Sequence, residues 1–360
     1  MAEIQPFQNK SSIYELDFPD LEKLIGEWQQ PAFRARQIWE GLYRNFWRDP
    51  QHFSNLPLVL RNKLSEHFRF TSLTPLQVLQ SSDRETIKTL FQLPDGKAIE
   101  AVLMKYEKRR TLCISTQAGC AMGCVFCATG QMGFKRNLTS GEIVEQVIYY
   151  AHLLQMEGEQ VTNVVLMGMG EPFHNYEATM AAIDRLNHPL GMNLGARRFT
   201  ISTVGLVPMI RRFAEEKRQV NLAISLHAAD DELRSSMLPI NKKYPMKELI
   251  AACREYVAQT NRRLTFEWAL IQNVNDSVET ARRLAEVLDG LLCHVNIIPL
   301  NPTQKYAGKG SSRERAQAFK AELERHGIPC TIRIRRGIDI QAGCGQLAIQ
   351  QPQNSPTNPI

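Results

Sequence analysis

A chain of 360 residues with 43% hydrophobic and 22% charged side chains has the composition of a globular protein, long enough for one large domain and a smaller one. The most apolar runs, such as "VTNVVLMGMG", fall far short of the roughly 20 residues of a spanning helix, and "MAEIQPFQNKSS" lacks the apolar stretch of a secretory signal. A cytoplasmic location is therefore expected, with the eight cysteines reduced or metal-bound, and the net charge of +6 gains meaning only through clusters such as "RIRR" at 333–336, which point to a polyanionic partner.

Residues 1–13 and the tail at 347–360 are polar and expected to be mobile. Residues 14–72 read as a small helical domain. "DLEKLIGEW" opens on an Asp cap, Asp20. "PAFRARQIWEGLYRN" carries Phe33, Ile38, Trp39 and Leu42 at helical spacing, and "LPLVLRNKLSEHF" makes a third helix. Over 73–109 the period changes: "TPLQVLQ", "ETIKTLFQL" and "AIEAVLMKY" read as strands, the last two joined by a turn at "PDGK".

From 110 to 346 six strand candidates, "TLCISTQ", "NVVLMG", "RFTISTVG", "NLAISLH", "RLTFEWALI" and "HVNIIPL", alternate with helical patterns such as "SGEIVEQVIYYAHLL" and "ETARRLAEVLDGL". This rhythm predicts an α/β fold with a parallel sheet or partial barrel, short of a complete eight-stranded one. The segments "GMGEP", "STVG", "SLHA" and "PLNP" follow strands, at the carboxyl ends where such folds bind ligands.

The stretch "TQAGCAMGCVFCATGQMGF" places Cys120, Cys124 and Cys127 at C-x3-C-x2-C spacing just after the first of these strands, with Cys113 upstream. Thiolates on a glycine-containing loop can surround one soft metal centre. A closed zinc site needs four ligands, and neither a second C-x2-C nor a spaced histidine pair follows. Three thiolates suit a 4Fe–4S cluster with one iron left open for a substrate. A zinc knuckle is the blander alternative. Glu171 alone would read as a solvated loop acid and His227 as a satisfied strand-end histidine; both coincide with successive strand ends. Glu100 in "KAIEAV" reads by pattern as an exposed strand residue, and Cys253, Cys293 and Cys330 as small core residues.

The cysteine loop resembles the signature of the radical S-adenosylmethionine (SAM) enzymes. Together "CAMGCVFCATGQMGFKRNL", "LMGMGEP", "ISTVG", "SLHA", "PLNP" and "RRGIDIQAGCGQL" resemble the ribosomal RNA adenine C2 methyltransferase family, RlmN, and its C8-methylating relative Cfr, in consistent order from about residue 90 to 350. The resemblance implies a partial six-stranded (βα) radical-SAM barrel over 110–346, a helical accessory RNA-binding domain over 14–72, and a strand and hairpin region over 73–109 leading into the barrel. It implies one 4Fe–4S cluster per chain on Cys120, Cys124 and Cys127, and two SAM molecules per turnover, as methyl donor and radical source. Gly170 and Glu171 then hold the methionine amine, and Ser202, Ser225, His227 and Asn301 make the other cofactor contacts.

C2 of adenine is electrophilic and offers no nucleophile to a sulfonium methyl group, so a route through a protein thiol is needed. By the resemblance Cys344, between two glycines in "QAGCGQL", is the S-methylated residue. Cys113 is the resolving thiol, forming a transient disulfide with it, and Glu100 is the proton acceptor, which needs a dry pocket to act near neutral pH. The implied partners are 23S ribosomal RNA, tRNA at the adenosine 3′ to the anticodon, and an electron donor such as flavodoxin or ferredoxin; a monomer is expected. Candidate phosphate contacts are Lys135, Arg136, Arg109, Arg110, Arg333, Arg335, Arg336, Arg34, Arg36 and Arg44. The alternatives are a Cfr-like C8 methyltransferase, a non-catalytic iron–sulfur RNA-binding module, and a thiol–disulfide oxidoreductase built on Cys113 and Cys344.

Overall fold

The computed structural model describes residues 10–347. The expected tail from 348 onward and residues 1–9 lie outside that range. Ser11–Ser12 (β1), expected within a mobile start, pairs in parallel with Phe68–Arg69 (β2) and closes the ends of the helical unit on each other. Between them run Phe18–Glu27 (α1), Phe33–Tyr43 (α2) and Leu58–His67 (α3). The cap of α1 is Asp17, not Asp20: the Asp17 carboxylate accepts the Asp20 N–H at 2.8 Å. Pro19 suits the first helical turn, which needs no N–H there, so the helix starts before Asp20. Leu21, Ile25, Ile38, Trp39, Leu42 and Leu64 form the shared core, while Phe33 stays exposed.

Thr74–Gln80 (β3), Thr86–Gln92 (β4), Ala98–Tyr106 (β5) and Arg109–Cys113 (β6) form an antiparallel meander. Gln117–Gly119 (β7) and Phe134–Asn137 (β8) pair across the cysteine loop, which contains the short helix Ala128–Gln131 (α4). Ser140–Met156 (α5) follows, with a capping box between Thr139 and Glu142. The next strands are Asn163–Leu166 (β9), Phe199–Thr203 (β10), Asn221–Ser225 (β11), Leu264–Leu270 (β12), Cys293–Pro299 (β13) and Cys330–Ile332 (β14).

The six predicted strands, β6 and β9 to β13, are parallel neighbours in chain order. Two features extend that expectation. Cys330–Ile332 adds a seventh parallel strand beside β13, and the hairpin region continues the same ten-stranded sheet, because β6 pairs with β9 on one edge and β5 on the other. The helical unit docks on α5: the buried Glu145 carboxylate accepts Ser12 Oγ at 2.8 Å and the N–H groups of Ser72 and Leu73. No helix among the described residues is long and apolar enough to cross a membrane.

Candidate active site

The carboxyl ends of the parallel strands open into one cleft, and all three loop cysteines line it. The loop is pinched at its base. Gly119 has φ +74°, and a Cβ there would stand 1.9 Å from Gly133 O, so only glycine lets the strands on either side of the loop meet. Cys120 N–H donates to Gly133 O at 3.1 Å, Cys127 N–H to Cys124 O at 3.2 Å and Val125 N–H to Met237 O at 3.1 Å. Burial pushes the Cys120 thiol up to about 12, and burial, then the neighbouring thiols, raises Cys124 well above the ordinary thiol value. Three such thiols ionise together only against a strong positive centre, which a metal cluster supplies. Among the described residues, no group of three or more His, Cys, Asp or Glu side chains is gathered around a point suited to a single ion.

In the loop after β9, Glu171 is 3% exposed. Its Oε1 accepts Phe173 N–H at 3.0 Å and its Oε2 accepts Val204 N–H at 2.8 Å, tying β9 to the end of β10. Burial outweighs these bonds and lifts the carboxyl to about 7. Gly170, beside it, lines the same cleft. Ser202 is the penultimate residue of β10 and Ser225 the last of β11, their hydroxyls 3.4 Å apart. His227 adopts a left-handed backbone conformation, φ 62°, and its Nδ1 accepts Ala269 N–H at 2.9 Å. Burial, then the Arg234 charge, pulls its pKa down to about 3. The ring is therefore neutral with its proton on Nε2, a fixed donor at the cleft wall. After β13, Asn301 donates from Nδ2 to Cys344 O at 3.1 Å, while its buried Oδ1 has no protein partner.

Cys344 stands where two spaces meet. It lines the cleft of the loop cysteines and also an adjoining pocket with Cys113, Tyr106 and Arg333. The turn depends on its glycines: a Cβ on Gly343 would lie 2.5 Å from Asn301 Nδ2, and Gly345 has φ +80°. Ala128 N–H donates to Gly345 O at 2.7 Å and Thr129 Oγ1 to Leu347 O at 2.6 Å, stitching this turn to the cysteine loop. Cys113 is the last residue of β6, and burial pushes its thiol up to about 12. All eight cysteines are free thiols, and Cys253, Cys293 and Cys330 are buried core residues.

Glu100 is not an exposed strand residue. It is 3% exposed, because β5 lies between β4 and β6 with cover on both faces, and Lys88 Nζ stands 3.1 Å from its Oε1. Glu100 lines neither space. The register puts it on the Cys113 side of the sheet all the same: Val102 lies opposite Cys113, and Glu100 is two residues along the same strand.

Two arginines depart from the expected pattern. Arg333 is turned inward, its Nη1 3.5 Å from Cys344 Sγ and 3.9 Å from Met167 Sδ. Its N–H donates to Ile297 O at 2.8 Å, prolonging the β14 ladder and directing the side chain over the strand ends. Arg234, unmarked in the sequence because "DELRSSM" reads as a solvated helix, is fully buried and donates to Val204 O, Ser225 O, Leu226 O and Asn241 Oδ1. It clamps the ends of β10 and β11. Of the other basic candidates, Arg136 pairs with Asp95 and Glu142, Arg110 with Glu159, Arg336 with Glu85, and Arg36 and Arg44 with Glu40, while Arg34 donates to Gln37 and Asn55 O. Lys135, Arg109 and Arg335 are exposed, Arg109 over the Tyr106 ring.

Residues 114–285 match the family model of the radical SAM superfamily, and residues 12–70 match that of the ribosomal RNA large subunit methyltransferase N-terminal domain. The dual-specificity RNA methyltransferase RlmN 1 of Myxococcus xanthus is 48% identical over 342 residues, covering 95% of each chain. A protein of Chloroflexus aurantiacus named "Probable dual-specificity RNA methyltransferase RlmN" is 49% identical over 347 residues, 93% of this chain and 92% of its own. The crystal structure of a radical SAM methyltransferase from Sphaerobacter thermophilus, 52% identical, superposes with a TM-score of 0.92 over 94% of this chain and 99% of that one.

Proposed function

We infer that this chain, which belongs to the RlmN family of radical SAM RNA methyltransferases, methylates C2 of adenine in ribosomal and transfer RNA through a cysteine-borne methyl group. The observation that carries this reading is the position of Cys344, at the junction of the cleft lined by the loop cysteines and the pocket that holds Cys113.

The residues present fit both groups that the chemistry needs. Cys120, Cys124 and Cys127 offer three soft ligands and leave one iron of a 4Fe–4S cluster open. Glu171 with the Gly170 backbone receives the amine of SAM, Ser202, Ser225 and neutral His227 line its path, and the unpartnered Asn301 Oδ1 is an acceptor waiting for a donor. When bound, cluster and cofactor supply the methyl group, a hydrogen-abstracting radical and a route by which one electron enters and returns.

The chain's own residues do the rest. The Cys344 sulfur accepts the methyl group, with Arg333 donating to that sulfur and fixing its direction. Once the methyl carbon has lost a hydrogen atom and bonded to C2 of adenine, the RNA is tethered to Cys344. Glu100 takes the C2 proton. The Cys113 sulfur attacks the Cys344 sulfur, an S–S bond forms, and the S–CH2 bond breaks. Its electron pair stays on the carbon, which takes a proton and becomes the product methyl group. The disulfide then returns to two thiols at the expense of an external reductant. The adenosine leaves its stack to reach this pocket. The chain works as a monomer in the cytoplasm, with an electron donor of the flavodoxin or ferredoxin type.

Mass analysis of RNA incubated with the reduced, cluster-loaded enzyme and methyl-labelled SAM tests the reading. Label at C2 is expected, preceded by label on Cys344 when RNA is withheld. Label at C8, or an unlabelled Cys344, overturns it.

A further inference from the structure

Lys88 lies on β4, only 6% exposed, where an ammonium is costly unless its charge and its protons are met. Its Nζ is 3.1 Å from Glu100 Oε1 and 3.3 Å from the carbonyl oxygen of Gln341. Gln341 precedes Cys344 by three residues and sits at φ 52°, so the donated bond falls on the bend that sets the path of the Cys344 loop. The strand register completes the picture. Lys88 lies opposite Val102, and Val102 opposite Cys113, one row across three strands, with Glu100 on the same face. The second bond reaches across to a different part of the chain, the bend that leads into Cys344.

We propose that Lys88 is a positioning residue for the release step: it aims the Glu100 carboxylate and pins the Cys344 loop above it, so that the C2 proton leaves in register with attack by Cys113. The proposal rests on the roles given above to Glu100 and Cys344.

The test uses the full chain with its cluster. Lys88→Met should impair SAM-dependent methylation of Cys344 much less than release, because methylation does not use Glu100. It should slow release about tenfold, less than a general base itself contributes, and RNA-linked protein should accumulate. Lys88→Arg, which keeps the buried charge and covers the case in which Lys88→Met is insoluble, should give an adduct that decays several-fold slower than the parent's. Release at the parent's rate in either soluble variant overturns the proposal. So does joint loss of Cys344 methylation and RNA product without adduct, the signature of a residue that only holds the fold. Glu100→Gln separates the two levels: parental turnover there removes the base assignment itself, whereas adduct in Glu100→Gln with none in Lys88→Met removes the lysine's role alone.

Discussion

Replacing Glu171 by Gln should change how stability depends on pH, and the size of the effect follows from its burial. The carboxyl has a pKa of about 7 in the folded chain against an ordinary 4.5, because burial outweighs the two N–H groups it accepts. Between those values the native state holds more protons than the unfolded one, so stability falls as pH rises through the window and levels off above 7. At 1.36 kcal/mol per pH unit the loss is about 3 kcal/mol. Glutamine has no proton to lose, and it forfeits one accepted N–H at a roughly constant cost of about 1–3 kcal/mol. The gap between parent and Glu171→Gln should therefore be largest near pH 4.5 and shrink by about 3 kcal/mol by pH 8. Glu145 and Glu267, also raised by burial, are common to both proteins and cancel. Urea unfolding of the cluster-free proteins, followed by circular dichroism at a series of pH values, measures the gap. A gap that stays constant from pH 4.5 to 8 would refute the reasoning.

Changing Cys120, Cys124 or Cys127 to Ala should abolish iron retention and deoxyadenosine formation, since two thiols cannot hold the cluster; full iron with normal SAM cleavage in any one variant removes that ligand. Cys344→Ala should give neither methylated protein nor RNA product, whereas Cys113→Ala should accumulate a protein–RNA adduct that maps to Cys344 and disappears on nuclease treatment. Because burial holds the Cys113 thiol near 12, decay of the parent's adduct should quicken from pH 7 to 9, by at most about tenfold per pH unit; a flat profile places the slow step elsewhere. Neutralising Lys135, Arg109 and Arg335 together should flatten the salt dependence of RNA binding by about three in slope if each meets a phosphate, while an unchanged slope locates the RNA surface elsewhere.

The sequence by itself determined the sheet rhythm and the cysteine site. Parallel strands covered on both faces must be apolar along their whole length, so "NVVLMG" and "NLAISLH" show themselves without any partner. Three thiols within eight positions, on one glycine-bounded loop, are a local feature and needed no tertiary knowledge either. Where a charged side chain ends up is not local. Glu100 alternates with apolar neighbours as an exposed strand residue would, and is buried because β5 lies between β4 and β6 with Lys88 against its carboxylate. Arg333 belongs to a basic run that suggests phosphate, but one further ladder bond to Ile297 turns it onto Cys344. Arg234 lies in a helix whose composition suggests water, and three backbone carbonyls from two strand ends surround it instead. That Cys113 and Cys344 line one pocket depends on the register of β5 with β6 and on the turn that Gly343 and Gly345 allow. Solvation and register are set by what packs against a residue from distant parts of the chain, so the tertiary structure alone decided which charges face inward and which thiols share a pocket.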